Sequence, residues 1–319
     1  MSGFKRQLNS WVEQYLFFPN PLQTLISMAV LPLTVFYCMI VAYKRMSAKP
    51  QYFGIPVISI GNLVVGGSGK TPVAIALAKS KDGVAIILRG YGRDSQGLHI
   101  VSQNGKILCD INTSGDEAML LALSLPNATV IVSENRSEAV VKAKELGCKI
   151  VFLDDGYRHH QLVKFDILIR PETEPTNIFC LPSGGYKETK MMYSFADIVL
   201  KDGTDFNRVV TFKYNDKKVE ELPKEIVLLT AISKHKRLLK YLPEGIKTVA
   251  YPDHHYFTKE DLEELDTKYP NHSIVTTQKD EVKLKQFNLQ NLYIMELEVL
   301  VNQEHIDKID EFISNIVLQ

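Results

Sequence analysis

The segment that most limits what this chain can fold into is a short apolar run, Val57 to Ile60, followed by Gly61-Asn62-Leu63-Val64-Val65-Gly66-Gly67-Ser68-Gly69-Lys70-Thr71-Pro72 and then a helical pattern. This order reads as strand, phosphate-binding loop, helix. Glycines let successive backbone N–H groups turn toward an anion at a helix N-terminus, Lys70 reaches the terminal phosphates, and the Thr71 hydroxyl ligates Mg²⁺. Pro72 suits a first helical turn, where its missing N–H would be unpaired anyway. The usual pattern G-x-x-x-x-G-K-[ST] wants glycine at 64, where this chain has Val64, and the glycines are displaced to Gly66 and Gly67. The plainer alternative is a glycine-rich turn that holds no nucleotide.

A strand feeding such a loop implies more strands like it. Val84–Leu88, Thr129–Val132, Lys149–Leu153 and Asp166–Ile169 are β-branched runs, and helical spacing recurs at 70–79, 116–125 and 137–146. Alternation of this kind predicts a parallel sheet with helices on both faces and ligands beyond the carboxyl ends of the strands. The run ending at Leu153 is followed by Asp154-Asp155-Gly156, where Asp154 is placed to organise Mg²⁺ beside the β- and γ-phosphates. Asp155 reads equally well as a cap or as a functional acid. Arg89-Gly90-Tyr91-Gly92-Arg93 offers guanidiniums on a flexed loop suited to anions. Ser114-Gly115-Asp116-Glu117 opens a helix, and by position alone its acids complement the helix dipole.

The chain's 37 basic and 37 acidic residues and its 45% apolar content exclude a disordered tail and give no basic excess of the kind a nucleic-acid binder carries. Its four cysteines, Cys38, Cys109, Cys148 and Cys180, form no C-x-x-C pair, which points to a reducing compartment. The charges are unevenly spread. From Gln14 to Tyr43 none occurs, and the nineteen residues Leu25 to Tyr43 would extend roughly 28 Å as a helix, close to the thickness of a bilayer core. Pro32 interrupts that run and basic residues flank both ends, so a segment that dips into the membrane is favoured over a true span or a buried core helix.

Four parts are therefore expected: a membrane-associated N-terminal segment (1–46), a phosphate-loop domain (47–200), a polar linker (201–224) with one short strand near 202–218, and a smaller α/β domain (225–319). In the last, strands are expected at 226–229, 248–250, 273–276 and 292–296. Helices are expected near 234–241, 259–268 and 305–317. Asp253-His254-His255 falls on a loop after its second strand.

ISIGNLVVGGSGKTP, ILRGYGR, SGDEAMLLA, LDDGYRHHQL, LPSGGYKE, YPDHHYF and TTQKD, in this order and spacing, resemble the tetraacyldisaccharide 4'-kinases, the lipid A 4'-kinases of Gram-negative bacteria. The likeness runs from about Asn20 to Lys283. It implies a P-loop NTPase-like fold and transfer of the ATP γ-phosphate to the 4'-hydroxyl of a lipid A disaccharide 1-phosphate. It also implies a monotopic enzyme at the cytoplasmic face of the inner membrane; from the charge balance no nucleic-acid partner is expected, and no protein partner is predicted. Carried over residue by residue, it implies that Ser68 lines the loop with Gly66, Gly67 and Gly69. Lys70, Thr71, Asp154 and Asp155 would organise phosphates and metal. Asp116 would be the catalytic base with His254, which reverses the position-only reading. Tyr91, Arg93, Arg136 and Lys187 would meet the substrate. Lys187 replaces an arginine of the family and Arg158 a glutamine, while Ala231-Ile232-Ser233-Lys234-His235 replaces G-I-x-N-P. The alternative is a membrane-recruited P-loop NTPase acting as a switch or adaptor. A guanine-specific N-K-x-D is absent from the sequence.

Overall fold

The computed structural model describes residues 3–66, 69–232, 235–253 and 255–317. Three helices come first: α1 (Gly3–Phe17), α2 (Pro21–Ala29) and α3 (Leu31–Met46). A capping box starts α2, with Asn20 Oδ1 accepting from Gln23 N at 2.9 Å and Gln23 Oε1 accepting from Asn20 N at 3.1 Å. The polarity of this segment is inverted. Gln23, Ser27 and Thr34 are buried, whereas Leu25 is 65% exposed and Phe36 and Met39 are each 63% exposed. The buried polar groups dock on the loop 177–187: Ser27 Oγ donates to Ser183 O at 2.6 Å, Thr34 Oγ1 to Ser183 Oγ at 2.7 Å, and Tyr37 OH to Lys187 O at 2.7 Å. No single helix among the described residues is long and apolar enough to cross a membrane. Only α2 and α3 together pass on length and composition, and they are bent by 58°.

The first sheet has eight strands: β1 (Val57–Asn62), β2 (Val84–Leu88), β3 (His99–Gln103), β4 (Lys106–Ile107), β5 (Thr129–Val132), β6 (Ile150–Asp154), β7 (Phe165–Arg170) and β8 (Ile198–Lys201). Their spatial order is β4-β3-β5-β2-β6-β1-β7-β8. Six run parallel, and the hairpin β3–β4 closes one edge antiparallel, so the sheet is mixed where the sequence suggested a purely parallel one. Every residue of β1, β2, β5 and β6 is buried, because helices cover both faces. Ile58, Ile60 and Phe152 face α4 (Lys70–Ala78) and α6 (Asp116–Ser124), the latter preceded by the short α5 (Ile111–Ser114). Val57, Val151 and Leu153 face α7 (Arg136–Glu145).

The second sheet contains β9 (Phe206–Tyr214), β10 (Lys217–Val219), β11 (Ile226–Thr230), β12 (Lys247–Ala250), β13 (Ser273–Thr277) and β14 (Leu292–Val301), ordered β10-β9-β14-β13-β11-β12. Its helices are α8 (Lys259–Lys268) and α9 (Gln278–Leu284), and α10 (Gln303–Val317) follows β14. Two expectations need correction. The stretch 201–224 is no linker, since β9 pairs antiparallel with β14 over nine residues from Phe206↔Val301 to Tyr214↔Tyr293. Nor does 225–319 stay with the smaller sheet: Val299 and Ile309 are buried in the core of the first sheet with Phe312 packed against it, and the Phe312 and Phe165 rings lie 4.7 Å apart. The chain thus leaves the first body along β9, builds the second, and returns along β14. Lys79 pairs with Glu298 at 3.1 Å and Lys81 with Asp310, tying α4 and the loop after it to β14 and α10.

Candidate active site

Past Asn62 the chain pairs with residues 185–187 before it turns. Val65 N donates to Gly185 O at 2.9 Å, Lys187 N donates to Leu63 O at 2.7 Å, and Val64 bridges Tyr186. Val64 is buried with Leu63, Tyr157 and Tyr186, so this position needs an apolar side chain. The turning is left to Gly66 and Gly69, at φ +90° and +81°, where a side chain would be strained. Gly69 is the N-cap of α4, which makes Lys70 the first helical residue. Gly67 and Ser68, expected to line the phosphates, lie outside the described residues.

The strand pairing also brings Lys187 to the loop. Asn62 Oδ1 accepts from Lys187 Nζ at 2.7 Å and from Lys70 Nζ at 3.3 Å, while its amide nitrogen donates to Val64 O. Both ammonium groups also approach Asp155 Oδ1, at 3.7 Å from Lys70 and 3.3 Å from Lys187. Asp155 sits at φ +53° with a half-exposed side chain. Burial works against its charge, but Lys70 and Lys187 win and hold its carboxyl below the usual range. Lys187 is pushed down to about 8, chiefly by burial. Asp154, at the end of β6, is buried; Thr71 Oγ1 donates to its Oδ2 at 3.0 Å, and its Oδ1 has no hydrogen-bond partner. Burial first, and Glu117 next, push Asp154 up to about 6.

Asp116 opens α6 and is 3% exposed. Its Oδ1 accepts from Glu117 N at 2.9 Å, and its Oδ2 lies 3.7 Å from Lys279 Nζ and 3.9 Å from Lys283 Nζ. These lysines come from α9, across from the first sheet. Lys279 also meets Glu117 at 3.4 Å and Asp253 at 3.5 Å, which ties the loop after β12 to the helix start. His254 lies outside the described residues. His255 is committed elsewhere, with Nε2 at 2.8 Å from Asp261 Oδ2 and its ring stacked on Tyr251 at 4.4 Å.

Three further expected residues are less uniform. Tyr91 is exposed. The Arg93 guanidinium is engaged by Glu134 Oε1 and Gly97 O, both at 2.6 Å, and its Nε and Nη1 are buried without hydrogen-bond partners. Arg136 is buried, donates to Ser133 O and is pushed down to about 10 by desolvation. The sequence assigned no role to Asn62, Glu134, Lys279 and Lys283, and only a helix-dipole role to Glu117. Asn62 and Lys279 stood inside quoted motifs, but only strand pairing and the packing of α6 on α9 reveal what they touch.

A family model described as Tetraacyldisaccharide-1-P 4'-kinase matches residues 26–315. A tetraacyldisaccharide 4'-kinase of Aliarcobacter butzleri is 56% identical over 299 residues, 94% of this chain and 95% of its own length. One from Helicobacter acinonychis is 41% identical over 304 residues, 95% of each chain. A crystal structure of LpxK from Aquifex aeolicus in complex with ATP superposes with a TM-score of 0.73 at 27% identity, covering 91% of this chain and 99% of that one. With a displaced-glycine loop, paired aspartates at the end of β6 and a buried acid at the start of α6, and with relatives matched over nearly its whole length, this chain belongs to the tetraacyldisaccharide-1-P 4'-kinase family.

Proposed function

We propose that the chain transfers the γ-phosphate of ATP to the 4'-hydroxyl of a tetraacyldisaccharide 1-phosphate, with Asp116 as the base. The observation that carries this reading is the convergence of Lys70, Thr71, Asp154 and Asp155 where β1 and β6 end, next to a helix start that buries Asp116. The sugar hydroxyl gives its proton to Asp116 as its oxygen bonds to the γ-phosphorus. The bond from that phosphorus to the β,γ-bridging oxygen breaks, and ADP departs with the electron pair. Lys70 and Lys187 supply positive charge to the phosphates. His254 would partner the base and the exposed Tyr91 would meet the phosphorylated sugar head, while Arg93 and Arg136, buried and held by Glu134, Gly97 O and Ser133 O, would reach it only on leaving those partners.

Thr71 and Asp154 would hold a divalent cation such as Mg²⁺. The buried Asp154 Oδ1 without a hydrogen-bond partner fits such an ion, since a buried carboxylate oxygen otherwise stays uncompensated. When bound, the ion neutralises charge on the β- and γ-phosphates.

The inverted polarity of α2 and α3 supports a monotopic seat at the cytoplasmic face of the inner membrane, apolar side chains in lipid and Ser27, Thr34 and Tyr37 turned to the enzyme. Replacing Leu25, Phe36 and Met39 by serine should move the protein from the membrane fraction to the soluble one. Full retention would put the anchor elsewhere. Excising 10–43 is a poor test, because Tyr15, Phe17 and Thr34 are buried against the body.

The decisive assay follows labelled phosphate from ATP onto purified lipid A disaccharide 1-phosphate with Mg²⁺ present. Transfer that requires the lipid is the expected result. Brisk ATP turnover indifferent to the lipid would favour the nucleotide switch instead.

A further inference from the structure

The second body supplies charge to the first body's helix start. Helix α9 packs on α6, and Lys279 and Lys283, one turn apart, both present their ammonium groups to the Asp116 carboxylate at 3.7 and 3.9 Å. The mounting of Lys283 is buried. Its side chain is 1% exposed and stands over the Phe257 ring at 5.4 Å. Its Nζ forms a buried ion pair with Asp280 Oδ1 at 2.9 Å, and from that fixed mounting it also faces Asp116 Oδ2 of the first body at 3.9 Å. Asp280 is itself fixed, because its Oδ2 accepts from Thr230 Oγ1 at 2.7 Å, Ala231 N at 3.0 Å and Thr277 Oγ1 at 3.0 Å.

We infer that Lys279 and Lys283 are positioning residues by which the second body keeps the Asp116 carboxylate ionised and aimed. This rests on the reading of Asp116 as the base. An acid flanked by ammonium groups stays ionised at lower pH than the same acid alone. Burial disfavours the charged Lys279, yet Glu117, Asp116 and Asp253 outweigh it and hold its ammonium above the ordinary value. The charged and titratable groups facing Asp116 include Glu117 on α6, Lys279 and Lys283 on α9, and Asp253 and Tyr256 on the loop after β12, while the 90–93 loop that carries Arg93 packs on the preceding Gly115. Among the described residues the two lysines are the cations with ammonium groups within 4 Å of its carboxylate.

The test uses the full chain with saturating ATP and lipid. Lys279→Met should lower kcat about tenfold near neutral pH and leave KM for ATP unchanged. Its acid limb should move up by about one pH unit, because an Asp116 with one cation fewer ionises later. The deficit should then shrink as pH rises, and Lys279→Arg should recover most of the rate. A pH-independent loss, a raised KM for ATP, or a wild-type profile would overturn the inference. Lys283→Met should shift the limb in the same direction, read only if its melting curve shows a folded protein. Asp116→Asn separates the two readings: if it stays active the base assignment fails and takes this inference with it. If it is dead while Lys279→Met behaves as wild type, this inference alone fails.

Discussion

Where β1 and β6 end, Asn62, Lys70, Asp155 and Lys187 share donors and acceptors loosely, with one neutral carbonyl oxygen serving two ammonium groups and a half-exposed acid serving the same two. Where β11 and β13 end, three donors converge on one oxygen of Asp280, which is fully buried. Both are strand ends of an α/β sheet, but they solve opposite problems. Groups that must pass from a protein partner to a phosphate and back need acceptors that let go. Groups that must hold another residue's carboxylate in place need acceptors that do not.

The largest effect should come from the loose end. Lys70→Ala should cut phosphate transfer by about a thousandfold, the scale of losing one preorganised transition-state donor, with an unchanged melting temperature. If stability fell as well, the difference between the two ends would be smaller than the geometry indicates. At the fixed end, Asp280→Asn leaves Lys283 buried with no counter-charge of its own body and should lower the unfolding free energy by about 3 kcal/mol in a denaturant titration. A smaller effect is expected for Asn62→Leu, which keeps the volume but frees both lysines from their shared acceptor. KM for ATP should rise about tenfold, and a change confined to stability would make Asn62 a fixed residue after all.

The smallest effect concerns pH. His159 and His160, just past Asp155, are each pushed down to about 4, first by burial, so the fold keeps them neutral. A histidine with a depressed folded value supports the fold above its unfolded value of about 6.5 and loses that support as pH falls toward 4. Urea midpoints measured down that window should decline, and His160→Gln should flatten the decline.

Much of the first sheet was legible because its strands are buried on both faces and read as unbroken apolar runs. Of the second sheet's β9 only a short strand inside a polar stretch was legible. Its residues are mostly half-buried, and Arg208 and Val209 break the alternation of Phe206, Val210, Phe212 and Tyr214 with Asn207, Thr211 and Lys213, so its nine-residue pairing shows only when β14 lies beside it. Helix α10 was legible as a helix, but no local pattern says which core receives Ile309 and Phe312. The site divides the same way. Lys70, Thr71 and Asp154 announce themselves by order along the chain, whereas Lys279 and Lys283 matter only through what α9 meets in space. The anomaly at Val64 could be described from sequence, but its cause, burial against Tyr186, is a tertiary fact.

The return of the chain along β14 also has a consequence in time. The core under α4 and α6 is missing Val299 and Ile309, and Phe165 lacks its ring partner Phe312, until roughly the last third of a ribosome's work on the two bodies is done. During synthesis the nucleotide-binding half would emerge early with one flank of its interior uncovered, and the second body would be laid down before that flank is sealed. A chain halted between 214 and 292 would therefore present a phosphate loop on an unfinished core, a natural substrate for proteases and a poor one for ATP.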